Sequence, residues 1–187
     1  MQAGQQRLVN IVLEEKTFVR RNPEVEHERA VAIYDLLEEN YFHLLGEEEG
    51  PYSLTLRMEG IQRLIFEVRD AEGKRVFRRI PLALQPFRRI VKDYFMVCES
   101  YFEAIKTASP SRIEAIDMGR RALHNEGAEL LRNRLADHTK VDDLTARRLF
   151  TLPCVLHTRG YAWRVFQPQC FLPVARTQSA PPWPKPS

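Results

Sequence analysis

The chain has 187 residues, a length typical of one domain, and its 44% hydrophobic and 28% charged residues are those of a globular protein. No apolar run approaches the roughly 20 residues that a membrane span requires, so no membrane association is expected. Three of the 28 basic residues and none of the 25 acidic ones lie beyond residue 160. Residues 1–160 are therefore neutral, which removes the bulk electrostatic case for nucleic-acid binding.

The first half of the chain alternates between strand and helix patterns. The aliphatic segment RLVNIVLEE (7–15) predicts a strand. Asn22-Pro23-Glu24 then predicts the start of a helix, with Asn22 as the N-cap, Pro23 in the first turn and Glu24 as an acid at the positive end of the helix. We expect Gly46 to Gly50 to end this helix. The apolar residues assigned to it by their helical spacing are Ala30, Ile33, Leu36, Leu37 and Leu44.

Three further strands are predicted by a period of two in SLTLRM (53–58), RLIFEVRD (63–70) and KRVFRRIPLAL (74–84). Asp70-Ala71-Glu72-Gly73 between the last two is a good hairpin loop. These three consecutive strands favour an antiparallel sheet.

The remainder predicts three helices. Residues 87–105 carry an almost unbroken apolar and aromatic stripe at helical spacing, which we interpret as core and not as a cofactor box. Ser109-Pro110-Ser111 starts the second helix, either with Ser111 and Glu114 as a capping box or with Ser109 as the cap. Asp142 or Asp143 caps the third helix, 143–158, which Pro153 should kink or end early.

The resulting fold class is α+β. The element order is β-α-β-β-β-α-α-α, with a small antiparallel sheet of three to four strands packed against a layer of helices. The N-terminal sequence lacks a basic segment followed by an apolar core, so we expect no signal peptide and a cytoplasmic location. Cys98, Cys154 and Cys170 form no C-x-x-C pair, which argues against structural zinc or a disulfide framework. Neither a metal nor a cofactor is expected.

Several long segments resemble an uncharacterised protein family of alphaproteobacteria that has no assigned activity. The resemblance spans residues 7–160 and implies a bacterial, cytoplasmic, single-domain protein whose body ends near Arg159-Gly160. Position 153 differs from the pattern of the family, because it holds a proline where an aliphatic residue is expected. The segments that carry the resemblance are PEVEHERAVAIYDLLEEN, PFRRIVKDYFMVCESYFEAI, PSRIEAIDMGRRALHNEGAELL and TARRLFTL.

Residues 161–187 differ in composition from the body. They hold both tryptophans, Trp163 and Trp183, and six of the twelve prolines. We interpret this segment as a disordered tail. One hypothesis is an out-of-frame extension, because the permitted codons, read in another frame, include the Cys-x5-Arg loop of a low-molecular-weight phosphatase. The alternative is a proline-rich interaction tail, since PPWPKP suits an extended conformation.

Arginine doublets recur along the body, and guanidinium groups bind phosphate and carboxylate in bidentate fashion. A converging set would make an anion site, for which the candidates are Arg88, Arg89, Arg120, Arg121 and Arg147. The alternative is ordinary surface ion pairs, because Asp117, Asp143 and Asp93 lie one helical turn from Arg121, Arg147 and Arg89. His27 lacks the second histidine of an H-E-x-x-H zinc motif.

The stretch AIDMGRRALHNEG (115–127) concentrates the polar candidates of the chain. On a helix Asp117, Arg121 and His124 form one patch, beside an apolar stripe that includes Gly119 and Gly127. A carboxylate near His124 would raise its pKa, as a general base needs. Close approach of another helix would explain Gly119, while Gly127 either shares that role or ends the helix. The patch also includes Arg120, Asn125 and Glu126.

Three hypotheses follow for the function. The leading one is a non-enzymatic interaction or regulatory module that presents the 111–137 helix and neighbouring arginines to a protein partner. The second is binding of an anionic small molecule or nucleic acid by the five candidate arginines. The third is an enzyme that uses His124 with Asp117 or Glu126, although no nucleophile motif accompanies them. The sequence does not define an oligomeric state.

Overall fold

A computed structural model describes residues 6–14, 23–46, 49–60 and 62–157. The structure describes the side chains of residues 6–14, 30–46, 49–60 and 62–152. The predicted tail at 161–187 and the side chains of His27 and Cys154 lie outside these residues, so their interpretation stays a prediction.

Within the described residues the fold is α+β, which confirms the predicted class, and two short strands, Phe42–Leu44 and Thr139–Val141, are added to the predicted elements. No helix among them is long and apolar enough to cross a membrane. In chain order the elements are β1 (Leu8–Leu13), α1 (Pro23–Glu38), β2 (Phe42–Leu44), β3 (Tyr52–Glu59), β4 (Arg63–Asp70), β5 (Val76–Ala83), a 3₁₀ turn (Gln85–Phe87), α2 (Arg88–Thr107), α3 (Pro110–Leu135), β6 (Thr139–Val141) and α4 (Asp143–His157).

The main sheet has the strand order β1-β3-β4-β5. The β3-β4 and β4-β5 pairs are antiparallel, as predicted, and Gly73 in the loop after β4 adopts a positive φ of 72°. β1 instead pairs with β3 in parallel, so the sheet is mixed. The α1 crossover between them is the physical reason, because a helical connection returns the chain to the same end of the sheet.

One face of the sheet is buried against the helices. Alternate residues of β3, β4 and β5 face these helices, and Leu54, Phe66 and Ile80 among them are at most 1% exposed. They join one core with Tyr94 and Cys98 of α2, which confirms that the predicted stripe of α2 is core. The core energy comes mainly from this shared apolar burial.

The opposite face of the sheet holds a buried carboxylate. Glu67 is 3% exposed and lies across from Arg79 in the β4-β5 register. Its Oε2 accepts a 2.6 Å hydrogen bond from Nε of Arg79, and Oε1 accepts one from Nε of Arg69 at 2.7 Å. Burial alone would raise the pKa of Glu67, but these two guanidinium groups outweigh it and lower the pKa.

Replacing Glu67 by Gln is expected to lower the free energy of unfolding by about 1.5 kcal/mol, because it weakens two charge-assisted hydrogen bonds at a buried position. The matched control is Glu59→Gln, which removes an ion pair with Arg63 whose two side chains are 52% and 62% exposed. That change should cost only about 0.3 kcal/mol. Urea unfolding measures both variants, and equal losses would contradict the assignment.

The end of α1 differs from the prediction. The helix stops at Glu38, and Leu44, expected on the helix, lies on β2 opposite Thr139 of β6. Asn40 provides the physical reason. Its Nδ2 donates to the carbonyl of Leu36 at 2.8 Å, while its Oδ1 and Nδ2 bond the backbone N–H and carbonyl of Leu8 at 2.7 and 3.0 Å. The amide thus ends the helix and ties its end to β1.

The N-terminal ends of α3 and α4 show which of the predicted capping residues starts each helix. α3 begins at Pro110 with Ser109 in the cap position, so the Ser111–Glu114 capping box does not start it. Asp142 caps α4, because its Oδ1 accepts from the N–H of Thr145 at 2.7 Å. The backbone of α4 continues past Pro153 to His157, so the expected early end of this helix is wrong.

Candidate functional site on helix α3

The stretch AIDMGRRALHNEG lies entirely on α3, one continuous helix of 26 residues. The alternative in which Gly127 ends the helix is therefore wrong. The last turns of α3 contribute Gly127, Ala128, Leu131 and Leu135 to the buried interior, whereas no residue from 110 to 126 is fully buried. The candidate residues thus lie on the less enclosed part of the helix.

The two glycines of this stretch have different surroundings. A Cβ added at Gly119 would meet nothing within 4 Å, so the expected close approach at this residue is wrong. A Cβ at Gly127 would lie 2.1 Å from Cζ of Phe150 on α4. The close approach of α4 to α3 is therefore at Gly127, where the absence of a side chain admits the aromatic ring.

Asp117 forms a three-residue ion cluster with the two arginines that follow it. Its Oδ1 accepts from Nε and Nη2 of Arg120 at 2.9 and 2.7 Å, and its Oδ2 lies 2.7 Å from Nη2 of Arg121. Arg121 is 54% exposed, but Arg120 and Asp117 are largely buried. The Asp117–Arg121 pair confirms the predicted ion pair one turn apart.

Arg120 connects α3 to α2. Burial opposes its charge, yet hydrogen bonds with Asp117 and Tyr94, and their charges, raise the pKa of Arg120 above its ordinary value. Its guanidinium carbon also lies 5.8 Å from the ring centroid of Tyr101. Arg120 therefore remains a fixed cation between the two helices.

His124 lies between aromatic rings of two other helices. Its ring centroid is 5.6 Å from that of Tyr94 on α2 and 5.4 Å from that of Phe150 on α4. Its Nε2 lies 3.3 Å from Oγ1 of Thr151, and that hydroxyl donates to the carbonyl of Arg147 at 3.2 Å. Because a hydroxyl has one proton to donate, Nε2 of His124 carries the ring proton and donates to Thr151.

That arrangement leaves Nδ1 of His124 as a buried acceptor with no hydrogen-bond partner among the described residues. Burial, followed by the charges of Arg147 and Arg120, lowers the pKa of His124 to about 4. The expectation that a neighbouring carboxylate raises this pKa is wrong. Two cations act on the ring, because Asp117 is engaged by the arginines.

The remaining predicted residues divide between this cluster and the surface. Arg147 is half-buried and acts on His124, and it forms no ion pair with any residue that the structure describes. Its expected partner, Asp143, pairs with Arg132 instead. Asn125 and Glu126 are exposed. Arg88 and Arg89 are also exposed, in the first turn of α2, where Arg89 forms its predicted pair with Asp93 at 3.7 Å.

Tyr94, Thr151 and Phe150 are the residues of this cluster that the sequence did not indicate. Tyr94 belongs to the predicted core stripe, and nothing in its spacing shows that it meets Arg120. Thr151 and Phe150 come from α4, which packs closely against α3 at Gly127. The small residue at 127 was the one available signal, since a helical glycine often marks a close neighbour.

The chemistry available to this cluster is limited. A histidine whose pKa is about 4 is neutral at physiological pH and is a weak base, unlike the general bases that operate near neutrality. No group of three or more His, Cys, Asp or Glu side chains within the described ranges is placed to hold a metal ion. The cluster is best described as a buried polar junction between three helices.

The fold and this junction define an α+β protein whose distinctive polar residues are concentrated on one long helix. The chain belongs to the uncharacterised protein family UPF0262, whose family model matches residues 5–159. This result confirms the family resemblance of the sequence. The family has no assigned function, and no solved structure matches the chain.

Similar members of the family occur in several alphaproteobacteria. A relative from Paramagnetospirillum magneticum is 63% identical over 155 residues, which are 83% of this chain and 98% of the relative. One from Rhodospirillum rubrum is 61% identical over 153 residues, covering 82% and 93%. One from Rhizobium etli is 58% identical over 160 residues, covering 86% and 100%.

Proposed function

We propose that the protein is a non-enzymatic interaction module that presents the outward face of α3 to a protein partner. The observation that carries this proposal is the open side of α3 within residues 110–126, where Met118 is 65% exposed and Gly119 has open space beside it. The side chain of Met118 offers apolar area to a partner, and the open space at Gly119 gives the partner room to approach the helix closely.

The state of His124 also favours a binding role over catalysis. The residue that would have to act as the base is neutral, has a pKa of about 4 and lies between two aromatic rings. Its predicted carboxylate partners are otherwise placed, since Asp117 is held by Arg120 and Arg121 and Glu126 is exposed on the outer side of α3. An enzyme mechanism through these residues lacks an activated group.

Site-specific photo-crosslinking tests the proposal. A photoreactive amino acid at position 118 of the full chain, incubated with a lysate of Rhodospirillum rubrum, should give a discrete, stoichiometric protein adduct. The control is the same group at Tyr34 on α1, whose 63% exposure matches that of Met118. Equal labelling from both positions, or co-purified nucleic acid in place of a protein, would reject the proposal.

A second candidate is binding of a small anion beside His124. It is favoured by Arg147, a half-buried cation without an ion pair among the described residues, whose charge acts on the ring of His124. Calorimetric titration with inorganic phosphate tests this candidate by comparing the wild type with Arg147→Gln. Binding that weakens with salt and disappears in the variant would support this candidate. Identical titrations of the two proteins would remove it.

A further inference from the structure

The outward face of α3 is defined by Arg112, Ala115, Gly119, Ala122 and Glu126. Their spacing of three and four residues places them along one side of the helix, away from the buried residues near its end. Four of the five are exposed, and Gly119 has nothing within 4 Å of its added Cβ. Met118 adds an exposed apolar side chain at the margin of this face.

The charges on this face are arranged symmetrically about Gly119. Arg112 lies seven residues before it and Glu126 seven residues after it, which places each charge about 10 Å from the glycine along the helix axis. Both side chains are exposed, and neither forms an ion pair with another described residue. The oppositely charged Asp117 and Arg121 lie five residues away from them along the helix and are paired with each other.

We propose that the partner of this face is a second copy of the chain, packed antiparallel across a two-fold axis at Gly119. That axis brings Arg112 of each copy level with Glu126 of the other and forms two identical ion pairs. An antiparallel register shifted by a helical turn or more separates these opposite charges. A parallel partner in register places Arg112 beside Arg112 and Glu126 beside Glu126. A self-complementary patch of this kind is the property that a two-fold interface requires.

The small side chains at the centre allow the two helix axes to approach closely. Gly119 lies at the crossing point, Ala115 and Ala122 lie within one turn of it, and Met118 packs at the edge of the contact. Burial of these apolar groups provides the association energy, and the flanking ion pairs fix the register. The inference rests on the proposed function, because it names the partner of the same face.

Sedimentation equilibrium of the full chain, across the micromolar range, tests the pairing by charge exchange. Arg112→Glu and Glu126→Arg each replace two attractions per dimer by two repulsions, so each should raise the dissociation constant by about tenfold or more. The double variant R112E/E126R restores opposite charges and should return the constant close to that of the wild type. Glu114→Arg, an exposed position on another side of α3, is the control and should have no effect.

Three outcomes would overturn the pairing: a wild-type chain that stays monomeric, single variants that associate like the wild type, or a double variant that does not recover. Thermal unfolding of each variant verifies that folding is retained. The proposed function fails separately. If the chain is monomeric and position 118 crosslinks a different protein, the second copy is excluded while the interaction module stands. If position 118 gives no adduct even with itself, both are excluded.

Discussion

Acid should destabilise this protein through His124. The pKa of this residue is about 4 in the folded chain, against 6.5 for an ordinary histidine, because of burial and the charges of Arg147 and Arg120. Between these values the unfolded chain binds a proton that the folded chain does not, so the free energy of unfolding falls as the pH is lowered. The contribution is complete above pH 6.5 and lost by about pH 4, and it amounts to about 3 kcal/mol.

The measurement is urea unfolding at several pH values between 7 and 4 for the wild type and His124→Phe. The phenyl ring keeps the contacts with Tyr94 and Phe150 but does not titrate, so the difference between the two proteins isolates this histidine from the carboxylates that titrate in the same range. We expect that difference to change by about 3 kcal/mol in favour of the variant as the pH falls. The control variant is His138→Phe, which makes the same substitution at a half-buried histidine just after α3. A constant difference between wild type and His124→Phe would refute the assignment.

The parts of the fold that the sequence predicted depend on local patterns. The stripe of α2, the alternation of β3 to β5 and the turn at Asp70–Gly73 each involve residues that are close together in the sequence. Periodicity and turn chemistry determine the local structure there. The parts that it missed depend on distant partners. Leu44 continues a helical spacing, but it becomes a strand residue because β6, far along the chain, pairs with it and Asn40 ends α1.

The candidate site shows the same limit. A helical wheel placed Asp117, Arg121 and His124 in one patch, and the ion pair between the first two exists. A helical wheel gives the directions of the side chains around one helix. It contains no information about which residues of other helices pack against them. The aromatic rings and arginines that come from α2 and α4, or from the next turn of α3, are what make His124 a buried neutral group. The sequence therefore predicted the ion pair of Asp117 with Arg121, but it gave the wrong direction for the pKa shift of His124.

The glycines of α3 give the second prediction with a large effect. Alanine at Gly127 places a methyl group 2.1 Å from Cζ of Phe150, and that ring is fully buried against Phe87 and His124. Relief requires the ring or α4 to move by more than 1 Å in a close-packed core, which costs about 3 kcal/mol. The better helix propensity of alanine returns about 1 kcal/mol. We expect Gly127→Ala to lower the free energy of unfolding by about 2 kcal/mol.

Gly119→Ala is the matched control, with the same chemical change on the same helix but open space around the new methyl group. It should raise the free energy of unfolding by about 1 kcal/mol, since only helix propensity contributes. Urea unfolding in dilute solution, where self-association does not contribute, compares the two. The contact is isolated by repeating Gly127→Ala in a Phe150→Leu background, where the smaller side chain should remove most of the loss. Opposite signs at the two glycines, together with this rescue, require that α4 meets α3 at Gly127. The contact would have to lie elsewhere if the two alanine substitutions changed the free energy of unfolding equally. The same would follow if the loss for Gly127→Ala persisted in the Phe150→Leu background.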